Sequence, residues 1–134
     1  MRKKILIVDD SADYLLITKR VFRDFDFAIL LAESALEATQ ILSETHVDLM
    51  ITDLNMPGMN GLELIQWCRE QHGIQSVILS TSDNRKFYES DLRLGYGSAH
   101  VINKPFNLKS FRDRALDLML CDNSRSYDGG ANFI

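Results

Sequence analysis

Four apolar runs in this chain each stop on residues that can do chemistry. "ILIV" at 5–8 leads into Asp9 and Asp10, "VDLMIT" at 47–52 into Asp53, "SVILS" at 76–80 into Thr81, and "AHVI" at 99–102 into Asn103, Lys104 and Pro105. A bare carboxylate beside an apolar run is costly unless something pairs with it. Carboxylates brought together also repel, by ~4 kcal/mol for two unit charges about 4 Å apart at an effective dielectric of about 20. A hard divalent cation relieves that repulsion, and every candidate ligand here is oxygen. Mg²⁺ suits such a set, because it takes one or two carboxylates, a carbonyl, waters and a phosphate oxygen. Lys104 would bring a second positive charge. Each feature alone has a plain structural reading: an Asp pair after a strand caps a helix, and a lone lysine is a solvated charge. The weight lies in the agreement of four run ends.

The elements that would position these residues follow from the patterning. The four runs and "FAILLA" at 27–32 are mostly continuous in apolar character, as in strands buried on both faces of a parallel sheet. Helical patterns alternate with them. Residues 11–24 place Tyr14, Leu15, Thr18, Val21, Phe22 and Phe25 along one face. Residues 35–43 open with Ser34 and Glu37, a capping box. Residues 61–71 carry Leu62, Leu64, Ile65 and Cys68, residues 84–94 carry Phe87, Tyr88 and Leu92, and residues 108–120 follow Asn107 as N-cap. Strict alternation of five strands and five helices predicts an α/β fold: a doubly wound five-stranded parallel sheet, (βα)5 and flavodoxin-like. Ligands bind beyond the carboxyl ends of such strands. The second strand ends blandly in Ala32 and Glu33, which fits an edge position and the strand order 2-1-3-4-5. Asp9, Asp10, Asp53, Thr81 and Lys104 then share one rim.

Composition narrows the function. The chain has 134 residues, enough for one domain with a real core. A net charge of −4 and a pI near 5.3 argue against non-specific nucleic-acid binding, which needs a basic face. No apolar run reaches the ~18 residues of a membrane span. The opening "MRKKILIVDD" is no signal peptide, since its apolar run is short and stops on two aspartates. Cys68 and Cys121 lie far apart in helical patterns and read as free thiols of a cytoplasmic protein. His46, His72 and His100 show no metal-ligand spacing. Residues 1–121 read as one domain. Residues 122–134, polar and glycine-bearing, read as a loosely docked tail with no output domain.

The residues from "KKILIVDDS" through "DLMITDLNMPGMNGLEL" and "VILSTS" to "VINKPF" resemble the receiver domain of bacterial two-component response regulators. The resemblance covers roughly residues 3–120. It implies that Asp53 accepts a phosphoryl group from a phosphohistidine on a sensor histidine kinase or a histidine phosphotransfer protein. It implies Mg²⁺ held by Asp9, Asp10, Asp53 and the backbone carbonyl of Asn55. Thr81 would be the switch hydroxyl and Lys104 the partner of acceptor and phosphoryl group; Pro57 and Gly61 would shape the turn that returns Asn55 to the metal. Lys104–Pro105 resembles a bond that is cis in the family. Three positions depart from the pattern. Ser80 precedes Thr81, so either hydroxyl fits by residue type, and aligning "SVILSTS" on the family's "PVIMLTA" selects Thr81. Ser82 stands where the family usually has alanine. Val101 stands where many receivers carry Tyr or Phe, so a switch that couples an aromatic to Thr81 is not written here. Asn55 and Asp83 occupy positions that influence phosphoryl lifetime in the family.

The implied function is a stand-alone receiver that, once phosphorylated, changes its contacts with a downstream protein effector. The surface for it would be residues 84–94, 99–102 and 108–120, with Phe87, Tyr96, Val101 and Phe111 either exposed there or buried as core. The alternative is an aspartate-nucleophile, Mg²⁺-dependent phosphohydrolase. Such enzymes place a second acid two residues after the nucleophile to protonate the leaving group, and this chain has Asn55 there. A flavin binder would need a hydroxyl- and glycine-rich phosphate loop, whereas "DDSADY" would repel a phosphate.

Overall fold

Parallel strands need crossovers, and the helices that make them here cover both faces of one sheet, α2 and α3 on one and α1 and α4 on the other. In this computed structural model, residues 2–71, 76–82, 98–104 and 107–126 are described, without the side chains of 98–100, 103 and 120–126. The order is β1 (Lys3–Val8), α1 (Ala12–Val21), β2 (Phe27–Ala32), α2 (Ala35–Glu44), β3 (Leu49–Asp53), α3 (Gly61–Gln71), β4 (Ser76–Thr81), β5 (Ser98–Asn103) and α4 (Leu108–Ser126). The strands pair in parallel in the order β2-β1-β3-β4-β5. The doubly wound (βα) sheet and its strand order are therefore those expected. The expected helix over 84–94 lies outside the described residues.

Successive side chains of a strand point to opposite faces, and each face builds its own core. Leu6, Val8, Met50, Val77 and Leu79 pack with Ala35, Ala38 and Leu42 of α2 and with Leu64, Ile65 and Cys68 of α3. Ile5, Ile7, Leu49, Ile51 and Ile78 pack with Leu15 of α1 and with Phe111, Ala115, Leu118 and Met119 of α4. All five residues of β3 and all six of β4 are buried. This is why their sequences lack polar alternation.

The helix starts are set by caps. Ser34 Oγ accepts the Glu37 N–H at 3.1 Å, while the Glu37 carboxylate takes the N–H of Glu33, at 2.6 Å, rather than that of Ser34. Asn60 and Glu63 each accept the other's N–H at 2.9 Å, a reciprocal box at the head of α3. Asn107 caps α4 as expected, taking the Ser110 N–H at 2.9 Å.

Several boundaries differ from those read in the sequence. The first helix stops at Val21, and tight turns bond Phe22 to Lys19 and Phe25 to Phe22. Phe25 therefore leaves the helical face; it is 37% exposed and stacks on Phe27 with ring centres 5.6 Å apart. The third strand begins at Leu49, because the Asp48 carboxylate caps the Lys4 N–H at 2.8 Å, and it runs through Asp53. The last helix continues past residue 120 to Ser126. Phe111 is 1% exposed and belongs to the core rather than to an apolar docking surface. Val101 packs half-buried against the other core, while Phe87 and Tyr96 lie outside the described residues.

Candidate acidic site at the strand ends

The carboxyl ends of β1 and β3 bring the three acids together. One oxygen from each of Asp9, Asp10 and Asp53 falls within 4.8 Å of the others. Asp9 and Asp53 are buried, at 4% and 8% exposure, and Asp10 is exposed. Asp9 is fixed from three directions. Its backbone N–H donates to the carbonyl of Ala32 at 3.1 Å, and its Oδ1 accepts the Ser11 N–H at 2.9 Å. Its Oδ2 accepts from Lys104 Nζ at 2.7 Å.

Lys104 arrives from the end of β5, where its backbone N–H donates to the Thr81 carbonyl at 2.7 Å. That bond carries the pairing of β4 with β5 one residue past Thr81 and Asn103. The side chain, 8% exposed, lies between Asp9 and Asp53 Oδ1, the latter 3.3 Å away. Tyr14, from the first turns of α1, places its ring centre 4.0 Å from the same ammonium. Helical spacing makes Tyr14 look like a packing residue, and its contact with a residue so distant in sequence has no local signal.

Burial pushes the Asp53 carboxyl above its ordinary 3.8. The Lys104 charge pulls it back, Asp9 pushes it up again, the Lys104 hydrogen bond lowers it, and Asp10 adds a further upward push. The net direction is upward: burial and like charges outweigh the single ammonium. A cation bound beside it would act in the same downward sense as Lys104.

The loop after Asp53 is pinned at both ends. Leu54 donates to the Ser80 carbonyl at 3.1 Å, and Gly61 donates to the Leu54 carbonyl at 2.8 Å. Asn55 thus leaves the sheet directly beyond Asp53, with its side chain exposed. Gly58 turns the loop through a φ of 79°, a conformation that suits glycine. Gly61 plays a closer part than turn-making. A Cβ there would overlap the Asp53 carbonyl oxygen and lie 2.9 Å from Leu79 Cδ1, so the head of α3 presses on the backbone of Asp53.

Of the two candidate hydroxyl residues, Ser80 pairs directly with Asp53 across β3 and β4, and neighbours so paired project to the same face of the sheet. Thr81 is fully buried at the strand end. Ser82 is exposed. Asp83 and Pro105 lie outside the described residues. The rim thus brings Asp9, Asp10, Asp53 and Lys104 together.

The family profile described as the response regulator receiver domain matches residues 5–117. The chain belongs to that family, whose members act in two-component signalling. It is similar to the aerobic respiration control protein ArcA of Escherichia coli K12, 36% identical over 115 residues, which are 86% of this chain and 48% of that protein. It is also similar to sporulation initiation phosphotransferase F of Bacillus subtilis, at 28% identity over 84% of this chain and 90% of the relative. The chain spans about half the length of ArcA. Among solved structures, the signal receiver domain of an HD domain-containing protein from Pseudomonas fluorescens Pf-5 superposes with a TM-score of 0.81 at 22% identity, over 92% of this chain and 99% of that one, a likeness of fold. Receiver domains bind Mg²⁺ at their acidic pocket, and the close all-oxygen set of Asp9, Asp10 and Asp53 fits that ion. No helix among the described residues is long and apolar enough to cross a membrane.

Proposed function

We propose that Asp53 is the phosphoryl acceptor of a phosphorylation-controlled binding module. The observation that carries this reading is the bridge of Lys104 between Asp9 and Asp53, at 2.7 and 3.3 Å, beside the third acid. It supplies a nucleophilic carboxylate, a fixed ammonium and an oxygen-lined cation site at one strand-end rim. A carboxylate oxygen of Asp53 attacks the phosphorus of a phosphohistidine on a sensor histidine kinase or a histidine phosphotransfer protein. The P–O bond forms as the P–N bond breaks, and the imidazole leaves with the electron pair and takes a proton from solvent. Asp9, Asp10, Asp53 and the backbone carbonyl of Asn55 would hold Mg²⁺, which when bound neutralises charge on the phosphoryl oxygens. Lys104 would add a second positive charge there, and it holds the acceptor in place. Thr81 is assigned as the switch hydroxyl, with Ser80 as its neighbour on the Asp53 face; Ser82, Asp83 and Pro105 border the site.

The product is an acyl phosphate that is lost slowly, so the protein acts as an acceptor rather than as an enzyme that turns over. Its output is altered contact with a protein effector in the cytoplasm, with Val101 taking part without an aromatic ring. The test is labelling with acetyl phosphate and Mg²⁺, followed by intact mass. Wild type gains one phosphoryl group; Asp53→Asn, folded by circular dichroism, gains none. A phosphoryl group on the Asp53→Asn protein would place the acceptor elsewhere and overturn the assignment.

A further inference from the structure

Among the described residues, three groups surround the Lys104 ammonium: Asp9 at 2.7 Å, Asp53 at 3.3 Å and the face of Tyr14 at 4.0 Å from its centre. Two of the three are acids that belong to the cation site. The third is an aromatic ring from a different element, α1. An ammonium over an aromatic face is attracted by the ring quadrupole, and the attraction grows when water is excluded. Here the lysine side chain is only 8% exposed.

Asp9 has both oxygens engaged, Oδ1 by the Ser11 N–H and Oδ2 by Lys104. A divalent cation that binds Asp9 shares the carboxylate with the ammonium, through a remaining lone pair of either oxygen, and the two positive charges repel across it. Whatever holds Lys104 on Asp9 therefore opposes the cation. We propose that Tyr14 is a positioning residue, whose ring anchors the Lys104 ammonium over Asp9 and thereby weakens divalent-cation binding at the acidic site. This rests on the reading of Asp9, Asp10 and Asp53 as the cation site. The contact seen is with the ring face, so phenylalanine is expected to retain the function and leucine to lose it.

The consequence reaches the reaction. With the ring in place, the resting protein keeps a counter-ion of its own between Asp9 and Asp53 and relies less on Mg²⁺ for charge balance. Without the ring, the lysine is freer to leave and the acids turn to the metal. Loss of a cation–π contact of ordinary strength corresponds to roughly three- to tenfold tighter Mg²⁺ binding.

The experiment compares wild type, Tyr14→Phe and Tyr14→Leu. Calorimetric titration with MgCl₂ gives the affinity. Proton–carbon NMR of the Lys104 ε-methylene, identified by its loss in Lys104→Arg, reports the ring current directly and without metal. In wild type and Tyr14→Phe the ε-methylene is expected upfield of ordinary lysine positions, with matching Mg²⁺ affinities. In Tyr14→Leu the resonance returns to an ordinary position and Mg²⁺ binds three- to tenfold more tightly. An unshifted ε-methylene in wild type overturns the proposal, as does equal or weaker Mg²⁺ binding in Tyr14→Leu. A change in Tyr14→Phe that matches Tyr14→Leu also overturns it, since the hydroxyl would then be responsible. If Mg²⁺ binding is unchanged in Tyr14→Leu while Asp53 still takes a phosphoryl group, only this inference falls. If wild type neither binds Mg²⁺ nor labels at Asp53, both readings fall.

Discussion

Gly61 sits against the backbone of Asp53 so closely that no Cβ fits between them: the added atom would overlap the Asp53 carbonyl oxygen and come within 2.9 Å of Leu79 Cδ1. The first residue of α3 and the last residue of β3 are thus in contact through main chain. The Asn60–Glu63 capping box and the Gly61-to-Leu54 bond at 2.8 Å hold them there.

Replacing Gly61 by alanine must move either the helix or the strand end. Overpacking of this kind costs about 1–3 kcal/mol. Gly61→Ala is expected to lower the urea midpoint accordingly and to slow acetyl-phosphate labelling, because the strand end that moves carries the acceptor. A midpoint and a labelling rate equal to wild type would show that α3 can shift without disturbing Asp53.

The pH dependence of stability follows from the raised pKa of Asp53, which burial causes first and Lys104 only partly offsets. Between 3.8 and the higher folded value, the native protein keeps a proton that the unfolded chain has released. This contribution to stability is therefore lost as the pH rises through that window. Asp53→Asn carries no ionisable group there. In metal-free buffer at pH 7 its urea midpoint is expected to exceed that of wild type, with the gap closing as the pH is lowered toward 3.8. A gap that stays constant with pH would contradict the shift.

Lys104→Ala removes the one ammonium that contacts both Asp9 and Asp53 among the described residues. Leaving buried acids without their partner is destabilising, here by up to about 3 kcal/mol. Mg²⁺ should restore most of it, since a ligand at a hundred times its dissociation constant adds about 2.7 kcal/mol. Thermal melts with and without MgCl₂ measure both. An unchanged melting temperature without metal, or no response to it, would remove Lys104 from the charge balance of the site.

Cys68 is fully buried beside Met50 Sδ at 3.7 Å, and burial pushes its thiol up to about 12. In a Cys121→Ser background, Cys68 should react with a thiol reagent at pH 8 only as fast as the protein opens, and fully once urea unfolds it. Fast reaction of the native protein would be inconsistent with this burial.

The rim was legible in the sequence because polar residues at the ends of apolar runs are conspicuous and strands have a direction. Asp9, Asp10, Asp53 and Lys104 needed only the strand order to converge, and the bland ending in Ala32 supplied the edge. Contacts between segments were not legible in the same way. Tyr14, one turn into the first helix, is within reach of the acidic rim by position, but its spacing favours packing and does not point to Lys104. Gly61 reads as a turn glycine, whereas its need arises from the close approach of a strand end. The short α1 ends at Val21 although the apolar spacing runs on through Phe25, because tight turns at Phe22 and Phe25 divert the chain and let Phe25 stack on Phe27.

The ammonium between Asp9 and Asp53 comes from the residue that follows the last strand of the sheet. During synthesis, both acids leave the ribosome well before their counter-charge does. A partly made chain therefore carries both carboxylates without the Lys104 ammonium, and the rim is complete only when β5 is delivered. The charge balance of Asp9 and Asp53 is in this way tied to completion of the sheet.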